Sequence, residues 1–388
     1  MQSATGVYDV AMDLATAFQL MNDRGYCLWV GAGLSLYAAQ AGGGKVPLWG
    51  ELVRDLEASA KIAPYKIDVT FPDRLDLILH ALRRENFQSE LRKRVHDPLA
   101  SSLLAAARAA GKNTADPIPR EVRRIAKLGT RANPVVNFNI ETMTSLLLGG
   151  YEPHAVKCFV PPVPGASDLL SGHGQYTGGG ASTHNRALYH PHGAISVGGV
   201  CVMTSSEYRA MRGTLALQLA VHAAFRTRLA IVGMSLDDEY LRHQLGEFRE
   251  QVDQVMWFRP PGTRLPSDVE HWCTVNRIEV IDIGSWRAFW DEVDRVFPAA
   301  PEQGLALNWM QIISQASAVL SGHRHEGWVI GQLRKMGVPE HGLVGWKQTL
   351  LLKGLPLPEI SEEDNLEPFA PTDEEAFVPI LDYIHKLS

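Results

Sequence analysis

A chain of 388 residues, 45% hydrophobic and 21% charged, is long enough to bury a full α/β domain plus a smaller appendage, with the composition of a globular protein. Its formal net charge of -6 argues against a surface built for a phosphate backbone, so direct nucleic-acid binding is disfavoured. The four cysteines, Cys27, Cys158, Cys201 and Cys273, form neither a Cys-x-x-Cys pair nor a disulfide framework; they read as buried thiols in a reducing cytoplasm. Met1 to Thr16 lacks a signal pattern, and no run approaches the roughly 20 apolar residues of a membrane helix. The expectation is a cytoplasmic protein without membrane contact.

Val10, Leu14, Phe18 and Met21 recur at helical spacing, and Tyr26 to Val30, too short and apolar for an amphipathic helix, reads as a buried strand. Gly31-Ala32-Gly33-Leu34-Ser35 then reads as a glycine turn before a helix opening at Leu36-Tyr37-Ala38, the strand, loop, helix order of a nucleotide-binding unit. Trp49, Leu52, Val53 and Leu56 begin another helix, with Pro47 near its start. From about Asp73 to Leu128 the pattern is helical almost throughout, which predicts a helical insertion over about 50–128.

Strand-like runs at Pro134–Phe138, Ala187–His190, Leu229–Val232, Val255–Phe258 and Ile278–Ile283 alternate with helices. This predicts an α/β fold with a doubly wound, Rossmann-like, mostly parallel sheet. Gly42 to Gly44 and Gly172 to Gly180 read as mobile loops. Beyond Phe297 the alternation ends, and Trp309, Ile312, Ile313, Trp328, Leu333 and Trp346 sit in helical patterns. The division expected is a catalytic domain over 1–299 and a helical extension over 300–388, whose apolar residues need a neighbour in the chain, in an oligomer or in a partner.

Gly31 and Gly33 permit close approach to a pyrophosphate at a helix start, or a tight turn with no ligand. Leu36 stands where a dinucleotide fingerprint has its third glycine, and no acidic residue follows at the end of a second strand, so an ordinary dehydrogenase is disfavoured. Ser35 can donate to a phosphate or cap the helix. Asn139 follows a strand at the edge where open α/β sheets bind ligands; its amide can hold a ribose hydroxyl or a water, or cap the helix beyond it. His192 follows the next strand, where its imidazole can accept a proton near neutral pH. His190 alternates with it, but no third ligand completes a zinc site. Gly233-Met234-Ser235 repeats the glycine turn after a later strand, and Asp237 or Asp238 reads as a cap of the following helix.

These motifs, in this order, resemble the sirtuin fold over about residues 20–285, and most closely the sirtuin-like NAD glycohydrolases of bacterial antiphage defence. Gly31 to Ser35 followed by Val46-Pro47-Leu48-Trp49 is similar to that branch's glycine loop and Pro-x-Trp helix start. Phe138-Asn139-Ile140-Glu141 is similar to its Asn-x-Asp element, with Glu141 in place of the Asp. Tyr189 to Gly193 and Gly233 to Asp238 resemble its histidine-glycine and Gly-x-Ser-Leu elements.

The resemblance implies that Asn139 and His192 are catalytic. It implies that Gly31, Ala32, Gly33, Leu34, Ser35, Trp49, Glu141, Gly233, Met234, Ser235 and Asp238 bind NAD, the substrate. The two zinc-holding cysteine pairs of protein-deacylating sirtuins are absent, so deacylation is the lesser reading, and no metal is expected. A non-catalytic NAD- or ADP-ribose-binding scaffold is the other alternative. With its extension the chain resembles the sirtuin-like subunit that assembles with a HerA-type hexameric ATPase, which implies a homo-oligomer and that partner.

Overall fold

The computed structural model describes residues 12–63, 69–113, 115–141, 143–149, 156–159, 186–190, 192, 203–211, 228–236, 239–321, 326–338 and 374–387. Helix α1, Leu14–Arg24, is capped by Asp13, whose carboxylate accepts the Thr16 N–H at 2.7 Å. It leads into β1, Tyr26–Val30, in which all five residues are buried. The remaining strands are β2 (Ala132–Asn137), β3 (Val156–Phe159), β4 (Arg186–Tyr189), β5 (Arg228–Val232), β6 (Gln254–Arg259) and β7 (Ile278–Asp282). They form one seven-stranded sheet in the order β3-β4-β2-β1-β5-β6-β7, with every pair parallel. The fold is thus the α/β, Rossmann-type sheet expected from the sequence.

A strand buried on both faces must be apolar at every position, and β1 shows how the two cores divide. Tyr26, Leu28 and Val30 join the larger core, which includes Phe18, Phe258 and Phe289. Cys27 and Trp29 point to the smaller one with Leu229, Ile231 and Trp257. Edge strand β3 is an addition to the predicted set: at four residues, with Lys157 within it, it carries no long apolar run to mark it.

The helical segment between β1 and β2 contains α2 (Ala32–Gln40), α3 (Trp49–Ala60), α4 (Phe71–Leu91), α5 (Asp97–Gly111) and α6 (Arg120–Gly129). Two expectations need correction here. Helix α2 starts at Ala32 rather than Leu36, with Gly31 as its extended N-cap, so Ala32 to Ser35 form its first turn instead of a loop. Gly42 to Gly44 form a turn fastened to α5. A Cβ on Gly42 would lie 1.8 Å from the Ser102 carbonyl oxygen, and one on Gly44 1.7 Å from Ser102 Oγ. Glycine is required there for contact, and the segment is held by hydrogen bonds from Gly42 and Gly44 to the Ala39 carbonyl.

After β2 come α7 (Met143–Gly149), α8 (Ser205–Met211), α9 (Glu239–Phe248), α10 (Ser267–Val275) and α11 (Trp286–Val296). The C-terminal region supplies α12 (Glu302–Ser321), α13 (Glu326–Lys335) and α14 (Glu374–Leu387). Helices α12 and α14 pack on α5 and on each other. Trp309, Met310, Ile312, Ile313, Phe377, Ile380 and Ile384 are fully buried there. Arg123 and Tyr383 fasten the ends, both hydrogen-bonding to Glu302 Oε1 at 2.7 Å. The neighbour that these apolar side chains need is therefore in the same chain; Trp346 and the Gly172 to Gly180 stretch lie outside the described residues. No helix among the described residues is long and apolar enough to cross a membrane.

Candidate active site

The sheet order places β1 between β2 and β5, so the chain leaves the carboxyl ends of β1 and β5 toward opposite sides of the sheet. Crevices of this kind are where doubly wound sheets take ligands. Two glycine segments meet here: Gly31 N–H donates to the Val232 carbonyl at 3.1 Å and Gly33 N–H to the Gly233 carbonyl at 2.9 Å. A Cβ on Gly33 would stand 2.8 Å from Gly233 Cα, and one on Gly31 2.8 Å from the Gly233 oxygen. Gly31 has an extended backbone and Gly33 is helical, whereas Gly233 has φ 69°. The first two glycines thus serve backbone contact rather than unusual dihedrals.

Gly33→Ala tests that contact. Alanine in a helix ordinarily gains about 1 kcal/mol over glycine, but this methyl group would meet backbone that cannot swing aside. A net destabilisation of about 1–3 kcal/mol is expected, from the cost of overpacking, read as a lower unfolding midpoint.

Around this contact, Leu34 is buried in the core and Ala32 is partly buried. Met234 is partly buried, and its carbonyl accepts the Trp257 indole N–H at 3.0 Å; Ser235 is exposed. Asp237 and Asp238 lie outside the described residues.

Asn139 and His192 follow adjacent strands, β2 and β4. Asn139 is 8% exposed, and its Nδ2 donates to the Gly31 carbonyl at 3.0 Å, tying the end of β2 to the start of α2. His192 Nδ1 lies 3.0 Å from the Phe138 carbonyl. Because a carbonyl only accepts, Nδ1 carries the proton and Nε2 the lone pair. The imidazole stacks near Trp49, with centroids 6.5 Å apart and planes at 27°, and meets the Phe138 ring edge-on at 5.2 Å. Trp49 Nε1 is buried without a hydrogen-bond partner among the described residues, a donor that a ligand's hydroxyl or amide oxygen would satisfy. Asn139, His192, Trp49 and the Gly31 segment are thus brought together, joined to Gly233 through the glycine contact.

Ser35 and Glu141 meet elsewhere in the same wall. Ser35 Oγ donates to Glu141 Oε1 at 2.7 Å, and Glu141, fully buried, caps α7 by accepting the Thr144 N–H at 3.0 Å. The Thr144 hydroxyl also donates to Glu141. Asn137 Nδ2 donates to Thr144 Oγ1 at 3.3 Å and to Ser145 Oγ at 2.5 Å, and Ser145 Oγ lies 3.0 Å from His190 Nε2. A continuous buried polar chain therefore runs from α2 to the end of β4. In the sequence reading no role falls to Asn137, which opens the Asn137-Phe138-Asn139-Ile140-Glu141 stretch, nor to Thr144 or Ser145. The one signal for them was a polar residue closing an apolar strand, with Asn-x-Asn spacing that favours a side-chain turn.

Burial pushes the His190 and His192 imidazoles down to about 4, opposed by the carbonyls of Asn139 and Phe138 respectively. Burial pushes the Glu141 carboxyl up, against the hydrogen bonds from Thr144 and Ser35. A histidine kept neutral in the fold but protonated in the unfolded chain weakens stability as pH falls from 6.5 toward 4. For His190, 1% exposed, the loss at pH 5 is about 2 kcal/mol. Glu141 works oppositely, its protonated form favouring the fold in acid. Denaturant midpoints measured from pH 7 to 5 should fall, and replacing His190 by Gln should flatten that slope. Among the described residues, no group of three His, Cys, Asp or Glu is placed to hold a metal ion.

A family model described as a SIR2-like domain matches residues 167–279. No curated protein matches the chain. The matched stretch contains β4, His192, β5 with Gly233, and β6, while Gly31 and Asn139 precede it. Members of that family often act on NAD, so an NAD-related function in general is supported. The match and the parallel sheet together make this part of the chain similar to a SIR2-like domain.

Proposed function

We propose that the protein is an NAD hydrolase that cleaves the bond between nicotinamide and ribose, releasing nicotinamide and ADP-ribose. The observation that carries this reading is the neutral pair at one sheet edge: a buried amide on Asn139 and, beside it, an imidazole whose tautomer is set by Phe138. Hydrolysis at a positively charged pyridinium needs no acid for the leaving group. As the glycosidic bond breaks, its electron pair goes to the nicotinamide ring nitrogen. Water forms the new C–O bond at the anomeric carbon, and its proton passes to His192 Nε2. Asn139 Oδ1 orients the ribose hydroxyl or the water without adding charge beside a developing oxocarbenium. Burial, which lowers its pKa to about 4, keeps the His192 imidazole neutral across the physiological range.

In this proposal residues 1–299 are the catalytic unit and 300–388 its helical support. The role is that of an NAD-depleting effector in antiphage defence. The cytoplasmic setting, read from the cysteines and the N-terminal sequence, and the homo-oligomer and HerA-type ATPase partner, implied by the resemblance, belong to the same proposal. The test is incubation of the full chain with NAD, alone and with its genomic neighbour, with chromatographic resolution of products. Free nicotinamide and ADP-ribose in equal amounts are expected. Turnover only with an acetylated peptide, or binding without hydrolysis under every condition, would overturn the reading.

A further inference from the structure

Asn137 ends β2 and is fully buried. Its Oδ1 accepts the Asn139 N–H at 2.9 Å, a turn closed by the side chain two residues earlier. Between the two asparagines stands Phe138, whose N–H continues the sheet to the Val30 carbonyl at 3.0 Å and whose carbonyl holds His192 Nδ1. The turn therefore fixes two directions at once: the Phe138 carbonyl faces the imidazole, and the Asn139 amide reaches Gly31.

The other half of the Asn137 amide anchors the turn. Since Ser145 Oγ accepts from Asn137 Nδ2, its proton is available for His190 Nε2, two residues before His192. The titratable groups facing this amide are His190, across Ser145, and Glu141, across Thr144. One planar side chain thus bonds to the backbone of the Asn139 segment and, through Ser145, to the histidine segment. Such a part matters more than an ordinary buried amide, because a displacement of about 1 Å in reacting groups can cost about 10²-fold in rate.

We propose that Asn137 is the positioning residue of the site, presenting Asn139 and His192 together through its side-chain turn. In its kinetic part the inference rests on the NAD hydrolase reading.

The test compares Asn137→Ala, which removes the turn's acceptor, with Asn137→Asp, which keeps it. In the full chain, ring ¹⁵N shifts of labelled histidines report the His192 tautomer without any ligand. The wild type and N137D should show His192 protonated at Nδ1, while N137A should show a mixture. For NAD turnover, N137A should lose about 10–100-fold in kcat with KM little changed, as expected of misplaced rather than missing groups, and N137D should recover most of it. An N137A variant that keeps the Nδ1 tautomer, or its kcat, would overturn the proposal. So would an N137D variant with a mixed tautomer, and this variant alone decides if N137A does not fold. If the wild type leaves NAD intact, the hydrolase reading fails by itself, and the ring shifts still decide the role of Asn137.

Discussion

His192→Ala is expected to lower NAD hydrolysis by about 10²–10⁴-fold, the usual contribution of a positioned general base. The ring packs against Trp49 and Phe138 with Nδ1 on the Phe138 carbonyl, and it is neutral, so its removal strands no charge. A folded variant is therefore expected, with NAD still bound. Asn139→Ala should lose about 10²–10³-fold, the scale seen when one preorganised polar group is withdrawn from a developing charge. It also frees the Gly31 carbonyl that Nδ2 now occupies, so its KM should rise as well. The measurement is single-turnover release of nicotinamide from purified protein with matched circular dichroism. A folded His192→Ala that keeps near wild-type rate would remove His192 from the mechanism.

Trp309→Ala should be the most damaging substitution for stability. This residue is fully buried in α12, a helix that packs on α5 and α14, and truncating such a ring costs about 3–5 kcal/mol, lowering Tm by roughly 4–6 °C. Trp309→Phe separates volume from polarity: the indole N–H has no hydrogen-bond partner among the described residues, so its loss strands nothing and most of the ring packing stays. A much smaller loss is expected for the phenylalanine. Equal losses would mean that the N–H is bonded after all, and no loss from alanine would mean that the helices do not pack this way. Removal of residues 300–388 is a poorer probe of assembly, because it bares α5 within the chain itself.

The sheet was legible because its strands are short continuous apolar runs, and Tyr26–Val30 has the bounds that its sequence announces. Asn139 and His192 stood out as polar residues just past such runs. What held them was hidden, since three links of the supporting structure join distant segments: Ser35 to Glu141, Asn139 to Gly31, Ser145 to His190. No local period marks a hydrogen bond across a hundred residues. The start of α2 was misplaced for a related reason. Glycine is a poor helix former on local grounds, and only the Gly233 backbone, far along the chain, requires Gly33 inside one.

The meeting of α5 with α14 bears on how the chain is made. Gly111 touches Pro379, with most of the polypeptide between them, and a Cβ on that glycine would lie 2.8 Å from the proline ring. During synthesis the helices between β1 and β2 leave the ribosome long before the segment that covers them. Domains form as units when their parts are present, so the apolar face of α5 waits for α12 and is still only partly covered until α14 arrives. An interrupted product would carry every residue assigned to the site and still lack the cover on which its helical layer closes.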